Sequence, residues 1–214
     1  MFSATLKSQA LALVGALSIS LLSVGSVHAQ SWYTVEKDAT QFTALSGDMI
    51  VPSVPPSGGT PYVWPGLQSG NGVLQAVLDG RSGTWWIGDG FYGTPSLAWG
   101  NGFNVSPGDT VHFTFSSSGD VWTCTLSSGS QSASTTLDIT GNTMNRAIFA
   151  VELYDVEFSF GPVIYENIEI TATTAASGWC GSTGELGSYT YTVTGVSTSG
   201  NTCSIAKIQQ NSAV

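Results

Sequence analysis

Beyond its first 29 residues this chain offers no helical period. It is a succession of short β-rich runs separated by Gly, Pro, Asn and Ser. That punctuation restricts the fold to a sandwich or a barrel. Strands are predicted over 42–45, 49–51, 62–67, 73–78, 84–87, 110–116, 120–127, 132–139, 147–158, 164–172, 188–195 and 202–208. Residues 52–60 are too rich in Pro and Gly for regular structure. The turn Ser106-Pro107-Gly108-Asp109 leads into Thr110-Val111-His112-Phe113-Thr114-Phe115, whose alternation buries one face. The expected architecture is all-β: a two-sheet antiparallel β-sandwich, concanavalin A-like or jelly-roll-like.

Residues 1–29 read as a secretory signal. Lys7 supplies the positive region, a mostly apolar stretch follows, and Val27-His28-Ala29 forms a small-residue cleavage site. The mature chain is then expected to start at Gln30, to form a single domain over 30–214, and to be secreted to the extracellular space. It holds four basic and fourteen acidic residues, a net charge of −10. Such a surface repels nucleic acid and anionic membranes, so neither is an expected partner, and a monomer is expected. Of the three cysteines, Cys180 and Cys203 flank a Gly/Ser/Thr-rich hairpin-like tail and are expected to form a disulfide. Cys124, in an alternating strand, is expected to be a buried thiol.

Much chemistry is excluded by what the chain lacks. His112 is the one histidine after residue 29, and it sits in an alternating strand, where a structural role is the expectation. A Ser-His-Asp or Cys-His arrangement would have to use it. With a single histidine and no paired cysteine ligands, no metal site and no cofactor are expected. Carboxylate chemistry remains. Asp38, Asp48, Asp79, Asp89, Asp109, Asp120, Asp138 and Glu185 lie in or beside turns and are expected to be solvated.

Two polar residues interrupt apolar runs. Gln75 stands within Val73-Leu74-Gln75-Ala76-Val77-Leu78, and Glu152 within Ala147-Ile148-Phe149-Ala150-Val151-Glu152-Leu153-Tyr154. An amide and a carboxyl are costly to place there without partners, and burial raises a carboxyl pKa, which suits a general base or acid. Alternation puts Tyr154 and Val156 on the face of Glu152, with Asp155 and Glu157 on the other. Trp64, Trp85, Trp86, Tyr92 and Trp99 cluster around turns, where some would pack and others, Trp86 among them, would line a substrate groove.

These segments together resemble the glutamic peptidases, or eqolisins, over roughly residues 48–172. Tyr62-Val63-Trp64-Pro65-Gly66-Leu67 resembles the family's Trp-x-Gly-Ile strand, and Val73-Leu74-Gln75-Ala76 its Leu-Gln-Thr-Gly stretch. Residues 102–111 resemble its glycine-aspartate turn, and Ala147 to Glu152 the strand ending in the catalytic glutamate. The resemblance implies a β-sandwich of two seven-stranded sheets and an acid endopeptidase acting on polypeptides. It makes Glu152 the general base and Gln75 the oxyanion donor, and it places Trp64 in the substrate cleft; Tyr154, on the face of Glu152 by alternation, is expected among the substrate-binding residues. Two acids of the family pattern are replaced, by Gln68 and Ile87. The loop after Glu152 is shortened to 155–161, and because the part that resembles the mature enzyme already begins at Gln30, no propeptide is expected. Two alternatives stand beside this reading. A glycoside hydrolase needs a second carboxyl across the groove from Glu152. A non-catalytic carbohydrate- or protein-binding module needs aromatic platforms alone.

Overall fold

The computed structural model describes residues 30–211; the expected signal segment lies outside them. The described residues form fourteen strands and one 3₁₀ turn at Ala176–Gly178. The strands are β1 Gln30–Asp38, β2 Phe42–Ile50, β3 Thr60–Ser69, β4 Gly72–Asp79, β5 Trp85–Gly93, β6 Gly102–Val105 and β7 Thr110–Ser118. They continue with β8 Val121–Ser128, β9 Gln131–Asp138, β10 Arg146–Tyr154, β11 Val163–Ala172, β12 Gly184–Leu186, β13 Tyr191–Ser199 and β14 Thr202–Gln210.

Two seven-stranded antiparallel sheets result, as expected of a β-sandwich. The front sheet runs β12-β1-β10-β3-β4-β5-β6 and the back sheet β13-β14-β11-β2-β7-β8-β9. Period-two alternation sends Val111, Phe113 and Phe115 of β7, and Trp122, Cys124 and Leu126 of β8, inward. Val63 and Leu67 of β3, Leu74, Ala76 and Leu78 of β4, and Phe149 and Val151 of β10 meet them from the front sheet. Burial on this scale, at about 25 cal/mol per Å² of apolar surface, is what holds the two layers together.

The front sheet is apolar on its other face too. There Trp64, Val77, Ile148 and Ala150 form a second buried cluster, flanked by Trp32, Tyr62 and Val73. Of these, Trp32, Tyr62, Trp64, Val73 and Val77 line a concavity, and that concavity positions the candidate site.

Several expectations change in detail. Residues 42–45 and 49–51 belong to one strand, β2. The predicted strand over 147–158 stops at Tyr154, because Asp155 takes a positive φ of 54° and turns the chain out of the sheet. Strands β1, β6 and β12 were not predicted. In β1, residues 34–37 are buried in succession, so no alternation marks it. Lys37 is buried there and its ammonium donates to Cys180 O (2.8 Å), Ser182 O (2.7 Å) and Thr183 Oγ1 (2.7 Å). This ties β1 to the segment that the Cys180–Cys203 disulfide fastens to β14.

Candidate active site

The front face carries a cavity of about 1250 Å³ lined by residues of β1, β3, β4, β5 and β10 and of the loops that follow β4 and β5. Cross-strand register sets its floor. One row reads Trp32–Glu152–Tyr62–Asp79–Trp86 across β1, β10, β3, β4 and β5. Four residue pairs along, another reads Glu36–Ile148–Gly66–Gln75–Gly90. The ring of Trp64, partner of Ala150, belongs to the row between them.

Glu152 is held from both sides. The Tyr154 hydroxyl donates to Oε1 at 2.5 Å, and the Trp64 indole N–H donates to Oε2 at 3.1 Å. Gln30 Nε2 in turn donates to the Tyr154 hydroxyl at 2.9 Å. Trp32 meets Trp64 edge-on at 6.0 Å, which fixes the indole that Glu152 uses. Burial raises the Glu152 pKa above its ordinary value, and the hydrogen bonds from Tyr154, Trp64 and Gln30 pull part of the way back. Burial and the adjacent carboxylate push the Tyr154 phenol up to about 12, so it stays a donor.

Gln75 is 9% exposed, and among the described residues no protein group hydrogen-bonds its side chain. Its amide atoms are not sealed from solvent but open on the cavity. Its cross-strand neighbours on either side are Gly66 and Gly90, so no side chain from β3 or β5 crowds it. At Gly66 a Cβ would come within 2.5 Å of Leu74 O and 3.3 Å of Gln75 Cβ. The amide therefore faces the cavity with its donors open.

Gln75 and Glu152 share this cavity but do not touch. Their partners on β3, Gly66 and Tyr62, are four residues apart, with Trp64 between. A flat sheet would separate the two Cα atoms by on the order of 16 Å, a gap that the side chains and the concave face narrow.

Asp79, expected to be solvated, instead lines the cavity and stands in the same row as Glu152. Arg81 clamps it through Nε (2.8 Å) and Nη2 (2.5 Å) and lies 5.8 Å over the Tyr62 ring. Of the other sequence candidates, Trp64, Trp86 and Tyr154 line the cavity, as do Tyr92 and Trp99, whereas Trp85 is a core residue. Gln68 pairs with Arg146 in register, away from the cavity lining, and Ile87 is buried in the core.

Asp89 was misread as a turn residue. It lies in β5, fully buried between the sheets, with no hydrogen bond to either carboxyl oxygen. Burial raises its pKa to about 6, and the nearby Thr135 hydroxyl eases its charge without making a well-formed bond. The flanking Gly88 and Gly90 give the segment the look of a turn, yet they are strand positions stripped of side chains.

His112 pairs with Asp48 (Nδ1 to Oδ1, 2.9 Å), and Asn167 holds the other Asp48 oxygen at 2.8 Å. The pair sits on the exposed face of the back sheet, where among the described residues no seryl or cysteinyl group bonds to it. Cys124 is free and fully buried. No group of three or more His, Cys, Asp or Glu among the described residues is placed to hold a metal ion. Nor is any helix there long and apolar enough to cross a membrane.

No protein-family model and no curated protein matches the chain. Solved structures do. Scytalido-glutamic peptidase with a peptide-based transition-state analogue matches at a TM-score of 0.55 and 19% identity, covering 84% of this chain and 98% of that one. SCP-B, a member of the Eqolisin family of peptidases, in a complex with the tripeptide Ala-Ile-His, matches at a TM-score of 0.51 and 19% identity, with the same coverage. At that identity the likeness establishes a shared fold.

Proposed function

We propose that the chain is a secreted endopeptidase that hydrolyses peptide bonds in acid solution with Glu152 and Gln75. The observation that carries this reading is Gln75: a nine-tenths-buried amide with open donors, facing the cavity that also holds a buried carboxyl. The likeness of the fold to peptidase structures, one with a peptide-based transition-state analogue, supports it. So does the chemistry of the lining, which includes no histidine, cysteine or lysine.

The reaction runs on two groups. Glu152, ionised, takes a proton from a water as that water's oxygen attacks the scissile carbonyl carbon. The carbonyl oxygen becomes an oxyanion, and a Gln75 side-chain N–H donates to it. Glu152 then returns its proton to the amine nitrogen as the C–N bond breaks, giving a carboxylic acid and an amine. For both groups to serve one carbonyl, the peptide must lie over Trp64 and Val77, between the two rows. Tyr154 and Trp64 hold the Glu152 carboxylate in the cavity, and their hydrogen bonds offset part of the rise that burial causes in its pKa. Neither a covalent intermediate nor a metal is required. Added amine and alcohol nucleophiles test this step: with no acyl-enzyme to intercept they should form no transfer product, and chelators should leave the rate unchanged. The domain organisation is proposed as a signal over 1–29 followed by one domain over 30–214, acting as a monomer.

One observation favours a second reading. Asp79 shares the row of Glu152 with Tyr62 between, which is the second carboxyl that a glycoside hydrolase needs. Against it, Arg81 bonds both oxygens of Asp79, Oδ1 through its backbone N–H and Nε and Oδ2 through Nε and Nη2, so the carboxylate is engaged rather than open to a substrate.

A further inference from the structure

The groove-facing positions of β5 are Trp86, Gly88, Gly90 and Tyr92, opposite Asp79, Val77, Gln75 and Val73 of β4. The two glycines are not gaps. A Cβ at Gly88 would collide with the ring of Trp86, which folds back over it. A Cβ at Gly90 would lie 2.5 Å from Cε3 and 2.6 Å from Cδ2 of Trp99, an indole delivered from the loop after β5. Trp86, Trp99 and Tyr92 thus line the β5 side of the cavity, and the Trp99 ring rests against Gly90, the residue opposite Gln75. The segment that carries it is fastened near both ends, by Asn142 Nδ2 to Thr94 O (3.0 Å) and by Gly100 N to Asp89 O (2.9 Å). Even so, Trp99 remains 40% exposed and Tyr92 74% exposed. Large aromatic rings held this open, on an otherwise well-packed molecule, mark a surface that awaits a partner.

The charges of the cavity lie elsewhere. Glu152, Asp79 and Arg81 cluster at the Tyr62 end, whereas Val73, Tyr92 and Trp99 bound the Gln75 end; the charges nearest in register there, Glu36 and Arg146, lie outside the lining and pair with each other at 3.1 Å. A charged side chain placed there would lose its hydration without a counter-ion, and a large apolar one would bury its surface against three apolar walls.

We propose that Trp99 is a specificity-determining residue: with Tyr92 and Val73 it forms a subsite for a large apolar side chain of the bound peptide, beside Gln75. The proposal rests on the peptidase reading of the cavity and adds the class of substrate it takes. Gly90 belongs to the subsite by its lack of a side chain, since any larger residue pushes the indole away.

The test uses peptides that differ at one of four positions around the cleaved bond, carrying Phe, Leu, Ser or Asp there, with wild type, Trp99→Ala and Gly90→Ala. Wild type should favour Phe and Leu over Ser by about tenfold or more at one position. Both variants should bring that ratio near unity at that position alone, through KM rather than kcat. A ratio that survives Trp99→Ala, or that collapses equally at all four positions, overturns the proposal. If wild type cleaves none of the peptides, the peptidase reading fails separately. Titration of the same peptides by intrinsic tryptophan fluorescence then decides the subsite: tighter binding of the Phe peptide, lost in both variants, supports it. Equal binding of all peptides, no binding, or binding of soluble glycans instead overturns it.

Discussion

The Tyr154 hydroxyl donates to Glu152 Oε1 at 2.5 Å, from two residues further along the same strand. Both side chains point to one face because β10 is regular until Tyr154, and the positive φ of Asp155 then ends it. The contact makes the Glu152 pKa a balance: burial raises it, and donors to the carboxylate lower it.

Replacing Tyr154 by Phe should tip that balance. The ring and its edge-on contact with Tyr62 at 6.2 Å stay, and one donor to the carboxylate goes. The Glu152 pKa then rises, so the acid limb of the pH–rate profile moves to higher pH. Profiles of kcat/KM for wild type and Tyr154→Phe check this. An unmoved or lowered limb would show that Tyr154 does not tune the base.

Asp89 should make the protein lose stability as pH rises. Its folded pKa of about 6 exceeds the ordinary value of 3.8, so the folded chain keeps a proton that the unfolded chain releases. Stability is therefore highest below the unfolded value, falls as pH rises from there towards the folded value, and stays low above it. A gap of that size corresponds to on the order of 3 kcal/mol. Asp89→Asn removes the titrating group, so chemical denaturation across this range should give a flatter curve. A fall of equal size in the variant would assign the loss to other groups.

Lys37 should be structural rather than catalytic. Its ammonium points inward to Cys180 O, Ser182 O and Thr183 Oγ1, away from the cavity. Lys37→Met strands three acceptors and should cost about 2–4 kcal/mol in denaturant unfolding. Activity of the remaining folded protein should be unchanged. Reduction of the disulfide should act on the same region, at about 3 kcal/mol for the loop it closes.

Alternation made most of the sandwich legible. The runs with one buried face, such as Val111-His112-Phe113-Thr114-Phe115, sit where the pattern places them. Strand β1 escaped because its Lys37 and Glu36 are buried by specific partners, a pairing that no local pattern shows. Asp89 escaped for a related reason. Glycines at 88 and 90 mimic a turn, but they exist to admit the rings of Trp86 and Trp99, and the second ring comes from a separate loop. Gln75 and Glu152 stood out as lone polar residues in apolar runs, and both line the cavity on the apolar outer face of the front sheet. That Asp79 joins their cavity follows from register across three strands and could not be read along the chain.

The central claim is that Glu152 and Gln75 together cleave peptide bonds. The most direct measurement is kcat/KM on a denatured protein substrate from about pH 2 to about pH 6, for wild type, Glu152→Gln and Gln75→Ala, each shown to be folded by circular dichroism. The account predicts cleavage by wild type, a loss of about 10²–10⁴-fold in Glu152→Gln and about 10²–10³-fold in Gln75→Ala. A folded wild type that cleaves nothing, or variants that cleave as well as it does, would contradict it.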